Sequence, residues 1–220
     1  MVIRGCIFDL DGVIVNTAAH HFEAWKLLSE ELGVSFDESD NEKLKGVSRV
    51  DSLEYILDKG QLILDSATKI RLMDQKNAHY LALADSTSPI DVLPGVVSLL
   101  DELDARNIQI ALGSSSKNAQ RILTKLGLFD RFSVIVDGNH LTLSKPDPQV
   151  FEKGAAQMGL APENCLVFED AAAGVEAALN GGFPVVGVGK AEDLPGAEVI
   201  IPDFSAITWD VLKSMLKIQG

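Results

Sequence analysis

Two pairs of acidic residues follow apolar runs in this sequence and could carry chemistry. Asp9 and Asp11 come directly after an apolar run that ends at Phe8, and Glu169 and Asp170 follow a second such run. A carboxylate at the end of an apolar strand can coordinate a hard cation, attack phosphorus, or cap the next helix. Helix capping is the ordinary use of a lone aspartate, and a surface turn is the ordinary alternative for the second pair.

Two polar segments that could hold an anion also follow apolar runs. The segment 114–118, Ser-Ser-Ser-Lys-Asn, offers hydroxyls and backbone donors at the start of a predicted helix. Its alternative is a polar loop with a helix cap. In Ser144-Lys145-Pro146-Asp147-Pro148, two prolines restrict the backbone beside Lys145, which in most proteins would be an exposed charge. We predict a cis Lys145-Pro146 peptide bond, because a fixed turn would aim the lysine inward.

Short apolar runs alternate with helical patterns along most of the chain. The predicted strands are Val2–Asp9, Ile108–Gly113, Ser133–Val136, Cys165–Glu169 and Pro184–Val188. The predicted helices between them are Val96–Arg106, Lys117–Leu126, Pro148–Met158 and Ala171–Leu179. This alternation predicts a parallel sheet with right-handed crossovers. Ligands of such sheets bind beyond the carboxyl ends of the strands, which is where the acidic and polar segments fall.

A long stretch with helical patterns, 16–107, separates the first two predicted strands. It contains three of these patterns, His20–Leu32, Ser52–Leu57 and Ala67–Leu83. Because a structureless connection of this length is uncommon in a compact domain, we predict an inserted subdomain. The predicted fold is α/β, a Rossmann-like parallel sheet with helices on both faces plus an inserted all-helical cap. Residues 1–16 and 84–220 would form the catalytic core domain, and 17–83 the helical cap domain.

The composition argues against a nucleic-acid-binding protein. The net charge is −13 over 220 residues, and phosphate backbones require clustered Lys and Arg in excess. No signal peptide or membrane-length apolar run is apparent, so we expect a soluble protein in the cytoplasm. The strongly acidic surface favours a monomer. Cys6 and Cys165 lie in apolar runs, where free cysteines act as small apolar side chains. An acidic protein that binds a sugar phosphate must concentrate its basic residues in the cleft.

The four polar segments, taken together and in this order, resemble the motifs of the haloacid dehalogenase superfamily of aspartyl phosphotransferases. The resemblance implies that Asp9 is the nucleophile and a ligand of Mg²⁺, the expected cofactor. It implies that Asp11 supplies a main-chain carbonyl to the metal and acts as general acid and base through its side chain. Ser114 and Lys145 would hold the transferring phosphoryl group. The implied metal site comprises Asp9, Asp11, Asp170 and, through water, Glu169.

The predicted cap resembles that of the β-phosphoglucomutase family within this superfamily. The resemblance rests on the runs 11–26, 44–53 and 76–77 and covers the whole chain, with a departure at Asn16, where that family often has Asp. It implies that Thr17, His21 and Lys76 join Asp9 and Asp11 as catalytic residues, although an apolar helix face could house His21 structurally. The implied substrate-binding residues are Trp25, Lys45, Gly46, Arg49, Ser52, Ser114, Ser115, Ser116, Lys117, Asn118 and Lys145.

This resemblance implies an isomerase that interconverts β-D-glucose 1-phosphate and glucose 6-phosphate. The reaction would pass through an aspartyl-phosphate enzyme and a glucose 1,6-bisphosphate intermediate. The first alternative is a sugar-phosphate or phosphoglycolate-type phosphatase of the same superfamily. The second is a non-catalytic sensor of sugar phosphates, which the intact set of Asp9, Asp11, Lys145 and Asp170 disfavours. The expected partners are small-molecule sugar phosphates, with no nucleic acid and no membrane.

Overall fold

The computed structural model describes residues 2–217 and contains a six-stranded, fully parallel sheet. The strands are β1 Gly5–Phe8, β2 Gln109–Gly113, β3 Val134–Val136, β4 Cys165–Glu169, β5 Val185–Val188 and β6 Val199–Ile201. They lie in the order β3-β2-β1-β4-β5-β6. β1 is therefore central, with Phe8 opposite Leu112 of β2 on one side and Phe168 of β4 on the other. The predicted Rossmann-like α/β fold is confirmed.

Helices precede and follow the strands throughout the described part of the chain. Their bounds are α1 Ala18–Glu31, α2 Glu38–Leu44, α3 Arg49–Lys59, α4 Ser66–Ala84, α5 Val96–Ala105, α6 Ala119–Lys125, α7 Gln149–Met158, α8 Ala172–Asn180 and α9 Trp209–Met215. Within residues 2–217, no helix combines the length and the apolar character needed to cross a membrane.

The sheet is covered on both faces, which explains why its strands read as continuous apolar runs. Successive side chains of β1 point to opposite faces, so that Phe8 joins one apolar layer and Ile7 the other. Phe8 stacks on Phe168 with ring centroids 4.6 Å apart in the layer formed with α5, α6 and α9. Ile7 packs in the opposite layer, where Phe151 of α7 and Val175 of α8 are also buried. The central strand is thereby held rigidly beneath the residues that follow it.

Helices α1 to α4 lie between β1 and β2 and form an apolar cluster of their own. Its buried members include Leu28 of α1, Leu53 and Ile56 of α3, and Leu72 of α4. Tyr80 of α4 instead packs with the layer beneath the sheet, so the insertion is also anchored to the core. The predicted helical insertion is confirmed, whereas the boundaries 17 and 83 of a separate cap domain stay a prediction.

Three elements were not predicted from the sequence: α2, β6 and α9. Helix α2 has only seven residues, too few for a clear apolar period, and it is defined by a capping box. In that box Asp37 Oδ1 accepts from the Asp40 amide and Asp40 Oδ2 from the Asp37 amide, both at 3.0 Å. The predicted first strand was too long at its start, because β1 begins at Gly5 rather than Val2.

A glycine at the start of α5 provides a test of the packing between the two ends of the core. Gly95 has φ +81°, and a Cβ there would overlap the main-chain carbonyl of Phe204. Gly127 has a similar φ of +70°, but a Cβ there would meet no atom within 4 Å. We expect Gly127→Ala to lower the free energy of unfolding by roughly 1 kcal/mol through backbone strain. Gly95→Ala should cost clearly more, as measured by urea unfolding, and equal losses would contradict this packing.

Candidate active site

The sheet places Asp9 at its carboxyl edge, beside the end of β4. The Asp9 amide donates to the Phe168 carbonyl at 3.0 Å, which continues the strand pairing by one residue. Its carboxylate is nearly buried and accepts a hydrogen bond from Lys145 Nζ at 2.7 Å. Lys145 also lies 3.4 Å from Glu169 Oε1. The Lys145-Pro146 bond is cis, as predicted from the sequence, and the lysine side chain is buried against these acids.

Three carboxylates at this edge are close enough to share one cation. Oxygen atoms of Asp9, Glu169 and Asp170 all lie within 4.8 Å of one another. In the described part of the chain, Glu169 Oε2 is buried without a hydrogen-bond partner. Burial and the neighbouring Asp9 raise the pKa of Asp170 to about 8. The site therefore lacks positive charge, and a hard divalent cation such as Mg²⁺ fits this set of oxygen ligands.

Lys145 alone does not neutralise this group of acids. Burial by itself would lower the lysine pKa, but attraction to Asp9 and Glu169 outweighs burial and raises it. Burial raises the pKa of Glu169 well above its usual range in spite of the nearby lysine. One lysine thus serves several buried carboxylates, and Glu169 and Asp170 are easier to protonate here than they would be in water.

Two glycines make room for the carboxylates. Gly12 has φ +79°, and a Cβ there would overlap the Asp170 carboxylate. A Cβ at Gly174 in α8 would overlap the Glu169 carboxylate. Gly12 directly follows Asp11 in the sequence. Gly174 lies against the Glu169 carboxylate because α8 packs on β4.

Helices α1 and α4 bring three side chains to Asp11. Thr17 Oγ1 donates a hydrogen bond to Asp11 Oδ1, and His21 Nε2 lies 3.9 Å from the same oxygen. Lys76 Nζ is 2.9 Å from His21 Nδ1 and lies 4.6 Å from the centre of the Trp25 ring. When Lys76 is protonated, its ammonium group can only donate, so His21 Nδ1 then accepts and the proton of a neutral imidazole is on Nε2, the nitrogen nearer Asp11.

The pKa values around Asp11 are shifted in opposite directions for acids and bases. Burial and the Asp9 charge raise the pKa of Asp11 to about 7. Burial and the Arg49 charge lower the pKa of Lys76 to about 7. Burial, Lys76 and Arg49 lower that of His21 well below its usual range. A carboxyl group with a pKa near neutrality can both donate and accept a proton, which is the requirement for general acid and base catalysis.

A second polar centre joins the loop after β2 to helices α3 and α4. Arg49 Nη2 donates to Asn77 Oδ1 at 2.7 Å, and Asn118 Nδ2 donates to the same oxygen at 2.9 Å. Ser115 Oγ donates to the Gly46 carbonyl at 2.8 Å. These contacts hold the helical insertion closed over the edge of the sheet. The guanidinium of Arg49 keeps donors free beyond the one bound to Asn77, so it can also bind an anion.

A cavity of about 320 Å³ connects the acidic edge with this second centre. The predicted site residues that line it are Asp9, Asp11, His21, Trp25, Lys45, Gly46, Arg49, Ser52, Lys76, Ser114, Ser115, Ser116, Lys117, Asn118 and Asp170. Thr17, Lys145 and Glu169 do not line the cavity but lie directly behind its wall. Thr17 is hydrogen bonded to Asp11, and Lys145 is hydrogen bonded to both Asp9 and Glu169. The Ser52 hydroxyl donates to the Ser48 carbonyl at 2.8 Å, so it is already used within α3.

The cavity also contains residues that sequence reasoning did not select. Asn77 belongs to the run 76–77 that carries the family resemblance, but it was not selected as a site residue. Gly138 and the segment 141–144 follow β3 in the chain and also line the cavity. The rule that ligands bind beyond the carboxyl ends of strands covers this position, but no acidic pair marks it in the sequence. Asn41 belongs to α2, which was not predicted, so nothing in the sequence indicated that it faces a cavity.

Comparison with known proteins agrees with this geometry. Residues 3–182 match the model of a family described as haloacid dehalogenase-like hydrolase. The chain is 42% identical to a β-phosphoglucomutase of Bacillus subtilis (strain 168) over 96% of this chain and 94% of that one. It superposes on the crystal structure of β-phosphoglucomutase from Clostridium difficile with a TM-score of 0.95, at 37% identity and 98% coverage of both chains. A fructose-1-phosphate phosphatase of Escherichia coli (strain K12) is 32% identical over 84% of this chain and 95% of that one.

The chain therefore belongs to the haloacid dehalogenase-like hydrolase family. Within this family it belongs with the β-phosphoglucomutases, and it is accordingly an enzyme of the isomerase class.

The raised pKa values predict how stability depends on pH and on Mg²⁺. Between about pH 4 and pH 8 the folded protein holds protons on Asp170 and Asp11 that the unfolded chain has released. In metal-free buffer, these two groups should therefore lower the free energy of unfolding as pH rises through this window. Mg²⁺ should restore stability, by about 2.7 kcal/mol at a hundredfold excess over Kd. Thermal melts at both pH limits, with chelator and with Mg²⁺, measure this.

Two variants separate this effect from the titration of other groups. Asp170→Asn should reduce both the pH slope and the response to Mg²⁺. Asp193→Asn, which changes an exposed carboxylate, should leave both as in the wild type. An unchanged response in Asp170→Asn would contradict the proposed cation site.

Proposed function

We propose that this protein interconverts β-D-glucose 1-phosphate and glucose 6-phosphate through a phosphorylated Asp9 and a glucose 1,6-bisphosphate intermediate. The observation that carries the proposal is the cavity with two anion-binding ends. Lys145 and Ser114 lie at the end that contains Asp9, and Arg49 and Asn118 lie at the other. A bisphosphate intermediate requires both ends, whereas hydrolysis of a monophosphate requires only the first. The relatives named β-phosphoglucomutase support the same reaction.

Mg²⁺ is the proposed cofactor. Asp9, Asp170 and the main-chain carbonyl of Asp11 would hold it, with Glu169 acting through water. A divalent cation supplies charge neutralisation for the oxygens of a phosphoryl group during transfer. The three clustered carboxylates and the unpartnered Glu169 oxygen support this assignment.

Asp9 is the proposed nucleophile. Its carboxylate is held by Lys145 at 2.7 Å, and the rigid central strand beneath it limits its motion. Lys145 lowers the repulsion between the anionic Asp9 and an approaching phosphate, and Ser114 contributes a hydroxyl at the same edge. Nucleophilic attack at phosphorus would give an aspartyl phosphate, and the protein would accordingly be a phosphoprotein during turnover.

Asp11 is the proposed general acid and base. With a pKa raised to about 7, it can protonate the leaving sugar oxygen in one half of the cycle and accept the sugar hydroxyl proton in the other. Its partners Thr17, His21 and Lys76 come from the helical insertion or from the segment that leads into it. The position of Asp11 therefore depends on the closed arrangement of the insertion.

This dependence would let a mutase exclude water. A sugar phosphate bridges Arg49 and the loop 114–118, and thereby stabilises the closed arrangement in which Asp11 is positioned. Water carries no phosphate for Arg49, so it cannot supply the same binding energy. The expected sugar-phosphate partners, monomeric state and cytoplasmic location are part of this proposal, and the net charge of −13 supports the absence of nucleic acid.

Incubation with Mg²⁺, β-glucose 1-phosphate and a trace of glucose 1,6-bisphosphate tests the proposed reaction. We expect glucose 6-phosphate as the main product, and no turnover by Asp9→Asn, which lacks the nucleophile. Free phosphate as the main product would identify a phosphatase, for which the fructose-1-phosphate phosphatase relative is the precedent. Absence of turnover in the wild type would leave only the non-catalytic sensor.

Arg49 offers a test of the distal anion site. We expect Arg49→Ala to lower mutase turnover by at least about tenfold, because a half-buried charged hydrogen bond to the distal phosphate is lost. Hydrolysis of p-nitrophenyl phosphate, which has no second phosphate, should change little. Arg71→Ala removes an exposed arginine from the neighbouring helix α4 and should alter neither rate. Equal losses of both activities in Arg49→Ala would contradict the role of the distal site.

A further inference from the structure

Asn41 of helix α2 lines the cavity but has no part in the phosphoryl transfer described above. It begins a stretch of wall that reaches from one end of the cavity to the other. Gly46, in this stretch, lies at the acidic end, since a Cβ added to it would be 3.6 Å from Glu169 Oε1. Arg49, three residues later, is bonded to Asn77 at the distal end. A sugar ring held by phosphates at both ends must therefore pass along this wall.

The side chain of Asn41 is available to a ligand in the cavity. Only 9% of the residue is exposed, it lines the cavity, and its side-chain amide makes no hydrogen bond with another side chain or main-chain group of residues 2–217. A ligand that displaces water from this amide must take over its hydrogen bonds, or binding loses free energy. Of the groups that this cavity could receive, a sugar can supply the missing bonds.

The direction of the Asn41 side chain is set by its neighbour. Asp40 is anchored on the side of α2 away from the cavity, where its carboxylate accepts from Lys59 Nζ at 2.5 Å and from the Tyr55 hydroxyl at 2.7 Å. Its other contact, with the Asp37 amide at 3.0 Å, fixes the start of the helix. These bonds prevent α2 from turning, so Asn41 is held toward the cavity before any ligand binds.

We propose that Asn41 is a specificity-determining residue that hydrogen bonds to a hydroxyl group of the sugar ring. The proposal rests on the proposed function, since it requires a sugar phosphate in this cavity. An amide both donates and accepts, as a hydroxyl does, and it carries no charge. Phosphate oxygens only accept hydrogen bonds, and the cationic residues at the two ends of the cavity can donate to them. A site built to bond a hydroxyl discriminates strongly against an analogue that lacks it.

The test compares Asn41→Leu with the wild type on β-glucose 1-phosphate and on its 2-deoxy, 3-deoxy and 4-deoxy analogues. Leucine is close to asparagine in size and cannot form hydrogen bonds. We expect Asn41→Leu to lower kcat/KM for the parent sugar about tenfold. For the deoxy analogue that lacks the hydroxyl bound by Asn41, kcat/KM should be equal in the two proteins. Hydrolysis of p-nitrophenyl phosphate should be unchanged. Glu38→Leu, at an exposed position of α2, is the matched control and should behave as the wild type.

A structural role for Asn41 would produce a different result. It would lower kcat/KM equally for the parent sugar and for every deoxy analogue, and this outcome would overturn the proposal. Asn41→Ala, which adds no bulk, is measured in parallel and should show the same selective loss if Asn41→Leu folds poorly. Turnover by the wild type separates the two proposals. If the wild type converts no hexose phosphate, both are wrong, whereas conversion without a selective loss removes only the role of Asn41.

Discussion

The central constraint in this structure is the concentration of negative charge at the carboxyl edge of the sheet. Asp9, Glu169 and Asp170 converge there because β1 and β4 are neighbours and end at the same level. Lys145 is the buried cation bonded to this group, and it does not satisfy all of its oxygens. Charges in a medium of low polarity interact strongly, so the fold stores an unfavourable arrangement at this edge. A bound cation and a phosphoryl group at the same place would together correct it.

The opposite imbalance is found on the helical insertion. Burial lowers the pKa values of Arg49, Lys76 and His21. The charge of Arg49 lowers those of Lys76 and His21 further, and the charge of Lys76 also lowers that of His21. The cavity is thus short of positive charge at one end and short of negative charge at the other. A metal ion and a sugar bisphosphate would supply these charges in the required positions. This arrangement explains how a protein with a net charge of −13 can attract an anionic substrate.

In the proposed mechanism, the choice between a sugar and water as phosphoryl acceptor depends on the helices above the sheet. Thr17, His21 and Lys76 connect the position of Asp11 to the insertion, and Asn77 and Asn118 connect the insertion to the loop after β2. Closure and proton transfer are therefore joined through a few hydrogen bonds. The 32% identical phosphatase relative shows that the fold does not by itself decide which acceptor is used.

The sequence by itself determined the parallel sheet, the helical insertion and most of the acidic and anion-binding residues. These features can be recognised along the chain, because each apolar strand is followed directly by a short polar segment. It did not indicate α2, because six polar residues and one leucine form no apolar period, and it therefore missed Asn41. Only the tertiary structure decided that Lys145 is buried against Asp9, that Gly174 accommodates Glu169 and that Asn77 joins Arg49 to Asn118. Such contacts join residues far apart in the chain, and the shifted pKa values arise from burial, which no local pattern records.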